Sequence, residues 1–371
     1  MRRAASTSDR LRRAALATLV GSLALAGGCS REAPARMERL YVFGTLADLE
    51  IRGAEEPDAQ AALAEVSALL TQRQGEWHAW EPSDLTRING AIAKGGSAVA
   101  PESVIALIER SRPLAEASEG LFDPAIGGLV SAWGFHTSNF PVQAAPPSDA
   151  WLQRWRDARP RLADVIVDGD RISSTHPAVQ LDFGAIAEGL ASETILEELS
   201  RHGIRHALVS LGGDIVALGD GDGRPWRVGL QDPFGGALGS VQLDDHEALF
   251  STGNYNKFRE SPTGARWPHV LDPRSGRPAR GAASVVVLHR DPVLADAAAT
   301  ALFVAGPSGF EHTARRMGVG CALMVTEENE MLVTAAMAAR VQLLRRPVSL
   351  GAPIDLGPDC GGGAAATKPG R

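Results

Sequence analysis

Strand-like and helix-like segments follow one another along this chain with neither a regular alternation nor an internal repeat, and that irregularity limits the fold most. Doubly wound and barrel α/β proteins need βα alternation to make parallel crossovers, and solenoids need a period. What remains is an α+β fold, with mixed sheets flanked by helices. Strands are expected at residues 40–53, interrupted by Gly44-Thr45, at 165–173 and 179–181, at 207–211 leading into a turn at Gly212-Gly213, and at 226–230, 240–243, 248–250 and 283–288. Helices are expected over 59–74, over 101–118, over the long stretch stopped by Gly203, and over 293–305 and 310–317. Pro101 suits a first helical turn, and Val104, Leu107, Ile108 and Leu114 share one face. Residues 321–325 and 331–333 are expected to pair around Glu328-Asn329. Residues 77–89 read as a loop around Pro82, 134–150 as the main internal linker, and 351–371 as a disordered tail with no core to pack into.

The front of the chain carries an address. Residues 1–13 are basic, and residues 14–26 form an apolar run that suits a signal-peptide core and is too short to span as a mature helix. That run leads into Ala26-Gly27-Gly28-Cys29, and small residues directly before a cysteine resemble the bacterial lipobox. In that reading residues 1–28 are removed, Cys29 carries the lipid anchor, 29–39 is a tether and 40–350 is the working domain. The alternative is a plain secretory signal beside a free cysteine. Both place the protein outside the cytoplasmic membrane, at the periplasmic face, touching a membrane through the lipid only. Residues 1–28 carry a net charge of +4 against −7 for the whole chain, so the remainder is strongly acidic and argues against a nucleic-acid partner. No apolar run of about 18 residues is read as a membrane span. Cys29, Cys321 and Cys360 have no CxxC spacing and give no disulfide framework, and Cys321 reads as core.

The run Gly-Asp-Gly-Asp-Gly at 219–223 fails as a calcium loop, because position twelve counted from Asp220 is Gln231 rather than Glu. It fails as a dinucleotide fingerprint because Pro225-Trp226 replace the helix it should open. A hairpin turn is what remains.

Four stretches carry chemistry. Residues 120–135 (GLFDPAIGGLVSAWGF) mix glycines with aromatics, which suits a planar ring ligand or a buried satellite cluster. Residues 181–189 (LDFGAIAEG) enter a helix whose N-terminus can receive phosphate oxygens, with Asp182 as the alternative N-cap. Residues 250–255 (FSTGNY) and 268–278 (PHVLDPRSGRP) are dense in polar and turn residues. His269 there can move a proton near neutral pH or simply satisfy loop backbone. On the alanine-rich helix at 295–303, Asp296 and Thr300 fall at i, i+4, and a carboxylate with a hydroxyl on one face is a hard oxygen pair suited to Mg²⁺.

In this order and spacing, these stretches resemble the ApbE family, the FAD:protein FMN transferases, which are exported bacterial proteins and often lipoproteins. The resemblance runs from about residue 40 to 333. It implies an enzyme that takes FAD as substrate with Mg²⁺ and transfers FMN to a Ser or Thr hydroxyl of an exported or membrane redox protein, releasing AMP. It further implies that Asp296, Thr300 and the Ala185 carbonyl hold the metal. Leu121, Phe122, Asp123, Asp182 and Val270 would contact FAD, and His269 would serve the transfer step. Three positions depart from the family: Phe43 stands where Met is common, Trp80 where Tyr is usual, and Glu188 where Lys is usual. The first two keep an apolar contact for a ring. Glu188 reverses a charge near a diphosphate and implies weaker FAD affinity or altered nucleotide choice. The alternatives are an FAD pyrophosphatase yielding FMN and AMP, and a non-catalytic flavin-binding lipoprotein.

Overall fold

A computed structural model describes residues 35–143, 145–260, 266–345 and 349–361. Cys29 and the signal segment therefore lie outside the described residues. The expectation of an α+β protein is met: helices flank mixed sheets, of which the largest has nine strands.

The first two strands, Arg36–Val42 and Thr45–Arg52, form a hairpin whose two loop residues, Phe43 and Gly44, both have positive φ (54° and 73°). A two-residue loop needs that geometry to match strand twist. The first strand occupies residues assigned above to a tether, because its backbone is paired throughout with residues 45–51. Next come His206–Leu211, Asp214–Leu218, Ala248–Gly253, Ala282–His289, Ala322–Thr326, Glu330–Val333 and Ser349–Leu350. They lie side by side in chain order, antiparallel except for the last pair.

Both faces of this sheet are covered, which explains the apolar run Val285–Leu288 within Ala282–His289. Val285 and Val287 face the helices, while Val286 and Leu288 face a core shared with a three-stranded sheet containing Trp226–Gln231 and Ala237–Leu243. On the helical side lie Glu56–Trp77, Glu102–Ala117, Ala187–Arg201 and the long Pro292–Met317. The last is long and apolar enough by composition to cross a membrane, contrary to the sequence reading. Its alanines at 295, 297, 298, 299 and 301 are buried instead in the main core, between the sheet and the other helices. It kinks at Gly306 (φ 65°), just before Pro307, dividing into the two helices expected.

Several other expectations change. Residues 84–92 are a helix rather than loop, started by a reciprocal cap between Ser83 and Thr86. Residues 165–173 hold two short strands, Val165–Asp168 and Arg171–Ser174, paired around a turn. The glycine run at 219–223 is a turn with positive φ at Gly219, Gly221, Asp222 and Gly223, but it joins strands of two different sheets instead of closing a hairpin. The tail is packed as far as residue 361. Ile354 bridges Thr334, Leu356 lies against the main core, and Cys360 forms a disulfide with Cys321. The pairing was hidden because it depends on the tail returning to the sheet, and no spacing rule reports that.

Candidate active site

Two helices meet to form the floor of the site. Asp291 caps Pro292–Met317 by accepting from the amides of Val293 and Leu294, which fixes where the first turns of this buried helix lie. One turn further in, Asp296 Oδ2 accepts the Gly189 amide at 2.9 Å, joining this helix to the first turn of Ala187–Arg201. Only glycine permits the approach: a Cβ at 189 would stand 2.6 Å from the Pro292 carbonyl oxygen. Thr300, on the same face as Asp296, has its hydroxyl 3.3 Å from that of Thr252.

A cavity of about 660 Å³ opens above this floor. It brings together Phe43, Trp80, Leu121, Phe122, Asp123, Asp182, Ala185, Glu188, His269, Val270, Asp296 and Thr300, all the described site positions expected from sequence. They come from six separate stretches of chain.

The walls are aromatic. Phe43 stacks on Trp77, with ring centres 5.8 Å apart and planes 10° apart, and its amide donates to Gln74. Trp80 stacks on His136, and Phe135 meets His269 edge-on. Leu121 and Phe122 are buried at the cavity edge. The Asp123 carboxylate is turned to structural use: Oδ1 accepts the amides of Ala125 and Leu162. Burial nevertheless pushes its pKa up to about 6. Asp182 is not the helix N-cap, since the helix begins at Ala187 after Ile186. Its Oδ1 instead accepts the Gly184 amide, shaping the loop that carries Ala185.

His269 receives two constraints from Lys257. Its amide donates to the Lys257 carbonyl, and its Nδ1 lies 3.1 Å from the same oxygen. A carbonyl only accepts, so Nδ1 carries the proton and Nε2 is the ring's free acceptor. Burial, and then the Lys257 charge, lower its pKa to about 4.

Glu188 neither faces solvent nor stands alone as an anion. It is half-buried and hydrogen-bonded to Asp214, on the far side of the Gly212-Gly213 turn. Burial raises the pKa of Glu188, against the attraction of Lys257. Burial, then the charges of Glu188 and Asp296, raise Asp214 well above the carboxylate range. Both shifts favour the protonated, less charged form of the pair. Sequence reasoning missed Asp214, Lys257 and His136. Asp214 follows a Gly-Gly turn and Lys257 lies two residues beyond FSTGNY, so both adjoined features already noted.

Among the described residues, no group of three or more His, Cys, Asp or Glu side chains has metal-holding geometry. A metal here would need the mixed oxygen set of Asp296, Thr300 and backbone.

Residues 43–323 match the sequence model of the ApbE family. The chain belongs to that family. A relative from Rhodobacter capsulatus, an FAD:protein FMN transferase, is 42% identical over 91% of this chain and 65% of its own length, so this chain spans just under two thirds of that relative. The FAD:protein FMN transferase of Treponema pallidum is 32% identical, over 89% of this chain and 95% of its own. Among solved structures, the apo Pseudomonas stutzeri flavinyl transferase ApbE superposes with a TM-score of 0.73 at 28% identity, covering 84% of this chain and 98% of that one. The ApbE protein of Thermotoga maritima gives 0.75 at 25% identity, covering 83% and 100%.

Proposed function

We propose that this ApbE-family chain transfers the FMN moiety of FAD to a Ser or Thr hydroxyl of a target protein, in a Mg²⁺-dependent reaction that releases AMP. One observation carries the reading: a buried carboxylate and a half-buried hydroxyl on one helix face, the Ala185 loop and a neutral imidazole converge on one aromatic-walled cavity. The relatives named above support it.

The donor set fits Mg²⁺. Asp296 is a desolvated carboxylate whose pKa is raised well above its ordinary value by burial and then by Glu188, which is the situation a hard cation relieves. Its Oδ2 is occupied by Gly189, leaving Oδ1, with the Thr300 hydroxyl and the Ala185 carbonyl as further oxygen donors. When bound, Mg²⁺ neutralises diphosphate charge and stabilises the phosphoryl transition state. His269 Nε2 takes the proton of the acceptor hydroxyl as its oxygen bonds to the FMN-side phosphorus. The bond from that phosphorus to the bridging oxygen breaks, and AMP leaves with the electron pair. The raised pKa values of Glu188 and Asp214 favour a less charged pair beside the diphosphate.

The acceptor is an exported or membrane redox protein, and the chain works at the periplasmic face, anchored through Cys29. The Cys321–Cys360 disulfide supports that location, because such bonds persist in oxidising compartments.

The test is AMP release by the full-length chain with FAD and Mg²⁺, with and without an acceptor carrying a flavinylation site. The expected result is AMP only with acceptor, together with covalent FMN on it. AMP without acceptor would assign the chain to FAD hydrolysis, and FAD binding without AMP in either case would leave a flavin-binding lipoprotein.

A further inference from the structure

His136 belongs to none of the stretches that carry the family resemblance, yet it makes two directed contacts in the cavity wall. Its ring stacks on Trp80, with centres 5.2 Å apart and planes 18° apart, and its Nε2 lies 3.0 Å from Asp182 Oδ2. Trp80 is held on a second side by His78, whose ring meets it edge-on at 4.4 Å. His78 is fixed in turn, its Nδ1 accepting the Glu81 amide at 3.0 Å. Despite this support Trp80 keeps 41% of its surface exposed while lining the cavity. The side chains behind it are nearly covered, His136 at 10% and Asp182 at 12% exposure. Covering an imidazole and a carboxylate to brace an indole that stays open costs desolvation. The arrangement makes physical sense when the open indole surface is the one that works.

We infer that Trp80, His136 and Asp182 form a ring clamp at the rim of the cavity, in which His136 is a positioning residue that holds the indole ready for a planar ring of the flavin dinucleotide. The inference rests on the reading of the cavity as an FAD site. It adds a residue that selects and orients the ligand without touching the reacting atoms. The ring is either the isoalloxazine or the adenine, since both offer a π-face to an indole. The Asp182 bond couples the clamp to the loop carrying Ala185, so ring capture and the phosphate end of the site share one element.

Two variants of the full-length chain separate the two contacts. His136→Phe keeps an aromatic ring against Trp80 and removes the donor to Asp182. His136→Gln keeps an N–H for Asp182 and removes the ring. The dissociation constants of FAD, FMN and ADP are measured for each, with kcat at saturating FAD. Each variant is expected to weaken FAD binding about three- to tenfold, the range of one aromatic or polar contact, with kcat within about twofold. The ligand that weakens in parallel with FAD, FMN or ADP, identifies the ring. Without ligand, Trp80 emission (wild type minus Trp80→Phe) is expected to change more in His136→Gln than in His136→Phe. FAD affinity unchanged in both variants, with wild type binding normally, would overturn the clamp alone, as would a fall in kcat at constant affinity. A wild type that binds none of the three ligands would overturn the flavin reading and the clamp with it.

Discussion

The Gly189 amide donates to Asp296 Oδ2 across 2.9 Å, and the contact leaves no room for a side chain at 189, where a Cβ would stand 2.9 Å from Val293 Cα. Gly189→Ala is therefore expected to push the two helices apart, lower stability by about 1–3 kcal/mol as overpacking does, and displace Asp296. FMN transfer should fall at least tenfold more than the loss of folded protein explains. Thermal melts run beside a transfer assay check this, and parental values of both would show that the helices can part without moving the carboxylate.

His269 should behave as a neutral imidazole throughout the physiological range. Because kcat/KM reports the free enzyme, its acid limb should lie near pH 4, where burial and Lys257 place this group, and not near the ordinary 6.5. His269→Ala is expected to lower kcat about 10²–10⁴-fold, the usual scale of general-base catalysis. A limb near 6.5 that vanishes in His269→Ala would contradict the effect assigned to burial, and transfer near the parental rate in that variant would remove the base role.

The Glu188–Asp214 pair predicts opposite outcomes for two substitutions. Glu188→Gln keeps the shape and the hydrogen bond without the charge, so FAD affinity should stay within about threefold. Glu188→Lys breaks the bond to Asp214 and should change the FAD dissociation constant measurably. Both folded-state pKa values are raised. The stability they contribute is thus fully present below the ordinary values of 3.8 and 4.5 and is lost as pH rises through the raised ones. Stability of Glu188→Gln should fall less steeply with rising pH than that of wild type, which denaturant unfolding across pH 5–9 would read.

Asp123 gives a second pH test, with a defined window. Its pKa rises from 3.8 to about 6 on folding, so its contribution is complete below pH 3.8 and disappears as pH climbs through 6. The loss amounts to roughly 2–3 kcal/mol. Asp123→Asn retains the oxygen that accepts from Ala125 and Leu162, so it should flatten the stability profile between pH 4 and 7. An unchanged slope would show that the carboxylate is better solvated than its burial implies.

Reducing Cys321–Cys360, or replacing both residues with serine, opens a loop with a sequence separation of 39. Chain-entropy arguments put the expected loss at about 3–4 kcal/mol. Melting the wild type with and without a thiol reductant reads this directly, and the serine pair should match the reduced protein.

What sequence could disclose depended on how far apart the cooperating residues lie. Asp296 and Thr300 were legible because helical spacing alone puts them on one face. The turn at Gly212-Gly213 was legible too, but not the carboxyl pair it brings together, since Glu188 and Asp214 are neighbours only once a helix and a strand have packed. His136 carried no local pattern: its meaning comes from Trp80 and Asp182, each distant in sequence. The helix at 84–92 was concealed by Pro82, although Ser83 and Thr86 hold its cap. Cys321 read correctly as core, and its partner was missed because the tail was denied a core to rest on.

The order of strands in the large sheet has a consequence for how the chain reaches this state. Each strand pairs with the next sheet strand in sequence, some across tight turns and others across intervening strands or a helix. The widest gap is the seam where Thr45–Arg52 meets His206–Leu211, which closes only after the whole intervening segment has collapsed. Pairing across such a separation is entropically slow. The hairpin that positions Phe43 should dock last onto an otherwise assembled sheet, so Phe43 would reach the site late in folding.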